Sequence, residues 1–132
     1  MNKKIRIKLR ELGISIVYLF GSKAIGLTTP LSDIDIGVVV KDSLALEDTR
    51  ALYTVLYEIF QGLYLAKKVD IVFLQISPLP FQYSAIKEAK VLFEEDSRIT
   101  ADYESYVINM NLDFKPVLEY FDKIASMRYA KV

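Results

Sequence analysis

The amino-acid sequence predicts an α/β (α+β) protein in which helices pack on a mixed β-sheet. Apolar runs rich in β-branched and aromatic residues have the length and composition of buried strands, and they span Ile14 to Phe20, Asp33 to Val40 and Val69 to Leu74. Between the last two, apolar residues recur at helical spacing through positions 43–63. A longer helical pattern covers about 97–131. Strand and helix patterns that alternate in this way predict one sheet covered by helices.

The first third of the chain predicts a helix, a strand and a second, short helix. Residues 3–12 alternate basic and aliphatic side chains, which favours an amphipathic helix ending at Gly13, with a basic arm for a partner as the alternative. After the first strand, Ser22 stands where a helix N-cap belongs, and Gly26 can end a short helix. Two threonines and a proline in residues 27–32 predict a loop that returns to the sheet.

The middle of the chain predicts two helices around the third strand and then a fourth strand. The helix at 43–63 carries Glu47 and Asp48 in its first turn, where carboxylates complement the helix dipole. After the third strand, Ser77-Pro78 has the pattern of an N-cap and a first helical residue, and it predicts a short helix. Residues 91–93 then predict an edge strand.

The C-terminal segment predicts a helix with an interruption. Pro116 lies inside the helical pattern, and proline removes a backbone donor and clashes with the preceding turn. We therefore expect a kink or a break near residues 111–116, with Asp113 capping a second helix.

Tyrosines and phenylalanines recur through the C-terminal half of the chain. More of them than one domain can bury would leave an aromatic surface, and such a surface suits a protein partner. The candidates for that surface are Tyr103, Tyr106 and Phe114, and ordinary core and rim packing is the alternative.

Composition limits the chemistry that the chain can perform. Its 132 residues suit a single domain, with a core at about 12–95 followed by the helical segment. The absence of cysteine and histidine excludes disulfides, thiolate zinc sites and a histidine base. No apolar run is long enough to span a bilayer and no signal-type start is present, so we expect a cytoplasmic protein without a membrane partner. A net charge of zero makes direct nucleic-acid binding a poor expectation.

A Gly-Ser turn and a pair of aspartates stand on either side of residues 23–32. Gly21-Ser22 follows the first strand and opens a helix, so backbone N–H groups, a hydroxyl and a helix dipole are available to a phosphate. Asp33 and Asp35 lie one residue apart in a strand, so both carboxylates point to the same face. Carboxylate oxygens suit Mg²⁺ that is bound together with substrate phosphates. A phosphate-binding turn next to metal-binding carboxylates predicts nucleotidyl transfer.

Two residues further along the chain extend this prediction. Gly37 shares the face of the two aspartates, which would leave room beside the metals for a nucleotide. Asp70 interrupts the third strand, and if Val69 and Ile71 face the core, Asp70 lies on the other face. A carboxylate in such a strand is costly unless a partner or a cation holds it. An aspartate in solvent, or paired with a neighbouring lysine, is the alternative.

The order Gly21-Ser22, ten residues, Asp33-x-Asp35 resembles the signature of the nucleotidyltransferase superfamily that shares the DNA polymerase β palm. The short chain and the turn Gly-Ser-Lys-Ala-Ile-Gly most resemble its smallest members, the minimal nucleotidyltransferases or MNT proteins. The resemblance implies a mixed sheet of the polymerase β type, Mg²⁺ as the metal and ATP as the substrate. It assigns Asp33, Asp35 and Asp70 to metal binding and catalysis, and Gly21, Ser22 and Lys23 to nucleotide binding.

The resemblance also implies a partner. MNT proteins act as antitoxins of HEPN-domain toxins, and several of them transfer AMP from ATP to a tyrosine hydroxyl of the toxin. The resemblance therefore implies the same transfer here, within a hetero-oligomer. One position departs from the pattern, because Ile25 stands where the family turn often has arginine. Two alternatives stay open: a non-catalytic antitoxin or scaffold that acts by binding alone, and an adenylyltransferase for a small hydroxylated molecule such as an aminoglycoside.

Overall fold

The structure is a computed structural model that describes residues 1–20 and 34–129 and, beyond position 112, only part of the side chains. The predicted short helix from Ser22 to Gly26 and the loop after it lie outside the described residues. Short 3₁₀ turns cover Ser43–Leu46 and Leu74–Ile76. The helices and strands are, in chain order, α1 (Lys3–Glu11), β1 (Ile14–Phe20), β2 (Ile34–Val40), α2 (Arg50–Leu63), β3 (Val69–Phe73), α3 (Leu79–Glu88), β4 (Lys90–Glu94) and α4 (Ser97–Tyr129).

The described strands form one four-stranded sheet in the order β3-β2-β1-β4. β1 pairs antiparallel with β2 and with β4, whereas β2 and β3 are parallel. The parallel pair is joined through α2, because parallel neighbours need a crossover connection. The predicted mixed sheet with packed helices is therefore confirmed, and β4 lies at an edge as predicted.

Helices cover both faces of this sheet. On one face, Leu9 of α1 and Phe60 of α2 are fully buried against alternate residues of β2 and β3. On the other face, α3 and α4 cover Tyr18 of β1, whose ring lies 6.4 Å from that of Tyr103. In β2 and β3 the period of two divides the apolar side chains between these two clusters, whereas β1 shifts register between Ile14 and Ile16.

Two glutamine side chains complete backbone pairing at the ends of the parallel strands. Gln75 accepts a hydrogen bond from the N–H of Val40 at 2.7 Å and donates one to its carbonyl at 3.0 Å, which prolongs the pairing of β2. Gln61 donates to the carbonyl of Lys67 at 2.8 Å and accepts from the N–H of Val69 at 3.4 Å. These last two bonds fix the turn from α2 into β3. They thereby fix the position of Asp70, which follows Val69 in that strand.

The helix predicted at 43–63 is shorter than expected. A 3₁₀ turn at Ser43–Leu46 stands apart from α2, which begins at Arg50. Asp48 accepts hydrogen bonds from both the backbone and the guanidinium of Arg50, and such local pairing competes with helix. Glu47 and Asp48 therefore precede α2, and the prediction that they occupy its first turn is wrong.

The start of α3 also differs from the prediction. α3 begins at Leu79, and the residue at its N-cap position is Pro78 rather than Ser77. The Ser77 hydroxyl instead donates to the carbonyl of Phe73 at 3.1 Å, and Ser77 ends the 3₁₀ turn that follows β3.

The last helix does not break at its proline. α4 continues through Pro116, so no second helix begins at Asp113, and the predicted break is wrong. Proline removes one backbone donor, and the other hydrogen bonds of a 33-residue helix hold the turns on both sides of it. None of the helices in residues 1–20 and 34–129 has both the length and the hydropathy that crossing a membrane requires.

Candidate active site

β2 and β3 bring Asp35 and Asp70 side by side. The two strands are parallel, and Asp35 is the register partner of Asp70. Adjacent strands lie about 4.8 Å apart and register partners project to the same face, so both carboxylates can contact one ion. Asp35 is half-buried in the interior strand, and Asp70 is exposed on the edge strand.

The two carboxylates lie on the face of the sheet that α3 covers. In β3, Val69 and Ile71 are buried on the opposite face, as the alternation of side chains predicts. In β1, Phe20 is the cross-strand partner of Asp35, and its ring meets Phe81 of α3 edge to face at 5.8 Å. This aromatic pair forms an apolar wall beside Asp35, on the side away from Asp70.

Gly37 does not leave the room for a nucleotide that the sequence predicts. A methyl group on its Cα would lie 2.9 Å from Cδ1 of Leu74 and 2.9 Å from Cε1 of Phe20. The glycine therefore allows these two apolar side chains to approach the backbone of β2. The prediction is wrong because Leu74, fully buried in the turn after β3, fills the place beside the glycine.

Tyr53, in the first turn of α2, reaches Asp70 at the outer edge of the sheet. Its hydroxyl donates a hydrogen bond to Oδ1 of Asp70 at 3.5 Å. Its ring stacks on that of Tyr57, with the centroids 6.3 Å apart. Burial, and then the Asp70 carboxylate, raise the pKa of Tyr53, so the hydroxyl is protonated at neutral pH and acts as a donor.

Sequence reasoning missed Tyr53. The spacing of Tyr53 and Tyr57 shows that they share one side of a helix, but it does not show that this side lies along the edge of β3. β3 pairs with β2 along one edge, so its other edge is the outer edge of the sheet, and it is there that α2 places Tyr53.

The donor set of this site suits a hard cation. Asp35 and Asp70 offer carboxylate oxygens alone, the ligand type that Mg²⁺ prefers. Within residues 1–20 and 34–129, no group of three or more Asp, Glu, Cys or His side chains is placed to hold a metal. Four predicted site residues lie outside the described residues, and so does Ile25. Their assigned roles stay predictions, and the four are Gly21, Ser22, Lys23 and Asp33.

The aromatic surface predicted in the C-terminal half is only partly free. Tyr103 is partly buried and packs against the core, because its ring lies against Tyr18 and its hydroxyl donates to Oε1 of the buried Gln82 at 2.8 Å. Tyr106 is 58% exposed and lines a groove with Met110. The side chain of Phe114 is not among those described.

Comparison with known proteins bears on the family and the fold of the chain. Residues 3–98 match the family described as Polymerase beta, Nucleotidyltransferase. No significant match was found among curated proteins. Among solved structures, significant matches include chains of toxin–antitoxin complexes.

Three of these solved structures illustrate the likeness. A toxin–antitoxin with AMP-PNP shows 24% identity and a TM-score of 0.65. A mutant of the toxin–antitoxin MntA-HpeT shows 25% identity and a TM-score of 0.64. A tri-AMPylated Shewanella oneidensis HEPN toxin in complex with MNT antitoxin shows 21% identity and a TM-score of 0.58. Each match covers 92% of this chain and 98% of the other.

The family predicted from the Gly-Ser turn and the two aspartates is thereby confirmed, together with the polymerase β type of the mixed sheet. The matched residues, 3–98, make up well over half of the chain. The chain therefore belongs to the polymerase beta nucleotidyltransferase family.

Proposed function

We propose that this nucleotidyltransferase transfers AMP from ATP to a tyrosine hydroxyl of a HEPN-domain toxin, and that it is the antitoxin of that pair. The observation that carries the proposal is the register pairing of Asp35 with Asp70 at the start of two parallel strands. Two neighbouring carboxylates suit a metal ion bound together with a triphosphate. The solved complexes support the choice of substrate and partner, since one contains AMP-PNP and another contains a HEPN toxin with an MNT antitoxin.

The proposed nucleotide site combines the described strands with the turn between them. Asp33 and Asp35 would hold Mg²⁺, with Asp70 completing the ligand set. Mg²⁺ at these carboxylates would neutralise charge on the triphosphate and favour attack at the α-phosphorus. Ser22 and Lys23 would contact the phosphates, and Gly21 would let the backbone approach them closely.

Asp70 is also the proposed base, because the chain contains no histidine. The phenolic oxygen of the acceptor tyrosine attacks the α-phosphorus of ATP, and the bond from that phosphorus to the bridging oxygen breaks. AMP is then esterified to the tyrosine, pyrophosphate leaves, and the phenolic proton passes to Asp70. The exposure of Asp70 at the sheet edge leaves it accessible to a side chain from another protein.

The proposal is tested by incubating the chain with its HEPN partner, ATP and Mg²⁺, and by weighing both proteins with intact mass spectrometry. We expect the partner to gain one or more increments equal to AMP less water, and to gain none when Mg²⁺ is chelated. An unmodified partner that is still bound and silenced would support the non-catalytic antitoxin instead. Transfer to an aminoglycoside, with none to the partner, would support the small-molecule adenylyltransferase.

We further propose that the exposed side of α4 at Tyr106 binds the partner, in a cytoplasmic hetero-oligomer. Tyr106→Glu is expected to weaken the complex by about 2 kcal/mol or more, because aromatic residues at the centre of an interface have effects of that size. Size-exclusion chromatography and titration calorimetry of the complex measure the change.

Ser105→Glu is the control for that variant, since it adds the same charge to the neighbouring exposed position of α4. The melting temperature of both variants should stay near that of the wild type, whereas a charge at Tyr103 would disrupt the contacts with Tyr18 and Gln82. An undiminished complex with Tyr106→Glu would place the interface elsewhere, with the basic helix α1 as the next surface to test.

A further inference from the structure

We propose that Tyr53 is a positioning residue for Asp70. Through the hydrogen bond that its hydroxyl donates to Oδ1, it fixes the direction in which the Asp70 carboxylate points, beside Asp35. The inference rests on the proposed function for the role of Asp70 as ligand and base. It adds a residue that lies outside the Gly-Ser turn and the Asp-x-Asp pair.

Asp70 is a carboxylate that needs such a partner. It lies on an edge strand and is exposed, and an exposed side chain of this kind exchanges between staggered rotamers. The Tyr53 hydroxyl contacts Oδ1 at 3.5 Å, which is long for an O–H···O bond, but bonds at catalytic groups often tighten only when substrate is bound. A single donor occupies one lone pair of one oxygen, so Oδ2 stays available to a cation.

Tyr53 is itself held in place by its helix. It lies in the first turn of α2, and its ring stacks on that of Tyr57 with an interplanar angle of 12°. The hydroxyl therefore links the Asp70 side chain of β3 to α2. A ligand restrained by a hydrogen-bonded neighbour binds metal more tightly, and loss of such a neighbour typically costs about 10–100-fold in affinity or activity.

The test compares Tyr53→Phe with Tyr57→Phe. Each change removes one hydroxyl and keeps both rings of the stacked pair. Tyr53 and Tyr57 are 36% and 37% exposed, so Tyr57→Phe is a matched control for Tyr53→Phe. Mn²⁺ is titrated in the presence of a non-hydrolysable ATP analogue, and free Mn²⁺ is followed by its electron paramagnetic resonance signal. We expect Tyr53→Phe to weaken Mn²⁺ binding about tenfold and Tyr57→Phe to leave it unchanged.

A purely structural role makes a different prediction. If Tyr53 only stabilised the fold, Tyr53→Phe would have a lower melting temperature than the wild type and the same affinity for Mn²⁺. That result would overturn the proposal. In an Asp70→Asn background, Tyr53→Phe should have no further effect on Mn²⁺ binding, because the two side chains act as one unit. Additive effects of the two substitutions would also contradict it.

The same variants separate a failure of this inference from a failure of the proposed function. If the wild type transfers no AMP but Tyr53→Phe still weakens Mn²⁺ binding, the proposed function fails and the positioning role stands. If transfer occurs, Tyr53→Phe should raise the Mg²⁺ concentration needed for half-maximal transfer about tenfold, whereas Tyr57→Phe should leave it unchanged. An AMP group found on Tyr53 itself would overturn the positioning role, because Tyr53 would then be an acceptor.

Discussion

ATP with Mg²⁺ is expected to raise the melting temperature of the wild-type chain, and the double substitution Asp33→Asn with Asp35→Asn is expected to abolish that rise. A ligand that binds only the folded state stabilises it by mass action, by about 2.7 kcal/mol at a concentration 100 times its Kd. The substitutions replace two charged ligands by neutral amides of the same shape, so metal binding is lost while the fold is kept. Differential scanning calorimetry with and without ATP and Mg²⁺ measures both effects.

Without nucleotide, the double variant should be as stable as the wild type or slightly more stable. Asp35 and Asp70 are register partners, and like charges that face each other across strands repel when no cation lies between them. Asp122→Asn, at an exposed position of α4, is the control for loss of a carboxylate elsewhere. An equal ATP–Mg²⁺ shift in the wild type and the double variant would show that these aspartates do not hold the metal.

The strands of the sheet could be predicted from the sequence because each carries its own signal. β1 is a run of β-branched and aromatic residues, and in β3 the exposed Asp70 stands between the buried Val69 and Ile71. Such patterns are local, and they indicate which side of a strand faces the core before its neighbours are known. The motif that identified the family is local as well, since all of it lies between Gly21 and Asp35.

Contacts between elements distant in the chain could not be predicted in the same way. The register of Asp35 with Asp70 depends on two strands that are joined only through a helix. Gly37 shows the consequence, because its role depends on Leu74, which belongs to the turn after the neighbouring strand. Tyr53 shows it again, since an exposed tyrosine on an amphipathic helix carries no signal of the carboxylate that it contacts.

Local competition explains the errors at helix ends. Asp48 can complement a helix dipole from the first turn, as predicted, or pair with a neighbouring backbone N–H ahead of the helix. In the structure it accepts the N–H and the guanidinium of Arg50, and α2 starts there. Propensity does not decide between two such arrangements of one side chain, because both use the same carboxylate.

Asp70→Asn is expected to separate binding of ATP from its use. Asp33 and Asp35 are the proposed principal metal ligands, so substituting either should reduce ATP binding and AMP transfer together. The main contribution of Asp70 is the removal of a proton from the attacking hydroxyl, and that contribution appears in the transition state. Asp70→Asn should therefore keep much of the affinity for ATP and lower the rate of transfer by about 10²–10⁴-fold, the usual contribution of a general base.

Two measurements on the same preparation decide whether the three aspartates differ in this way. Titration calorimetry with a non-hydrolysable ATP analogue and Mg²⁺ gives the affinity, and the time course of AMP addition to the HEPN partner by intact mass gives the rate. Asp35→Asn is the matched variant, because it is the register partner of Asp70 and receives the same chemical change. If Asp70→Asn transferred AMP at the wild-type rate, Asp70 would not be the base, and the proton would have to pass to another acceptor.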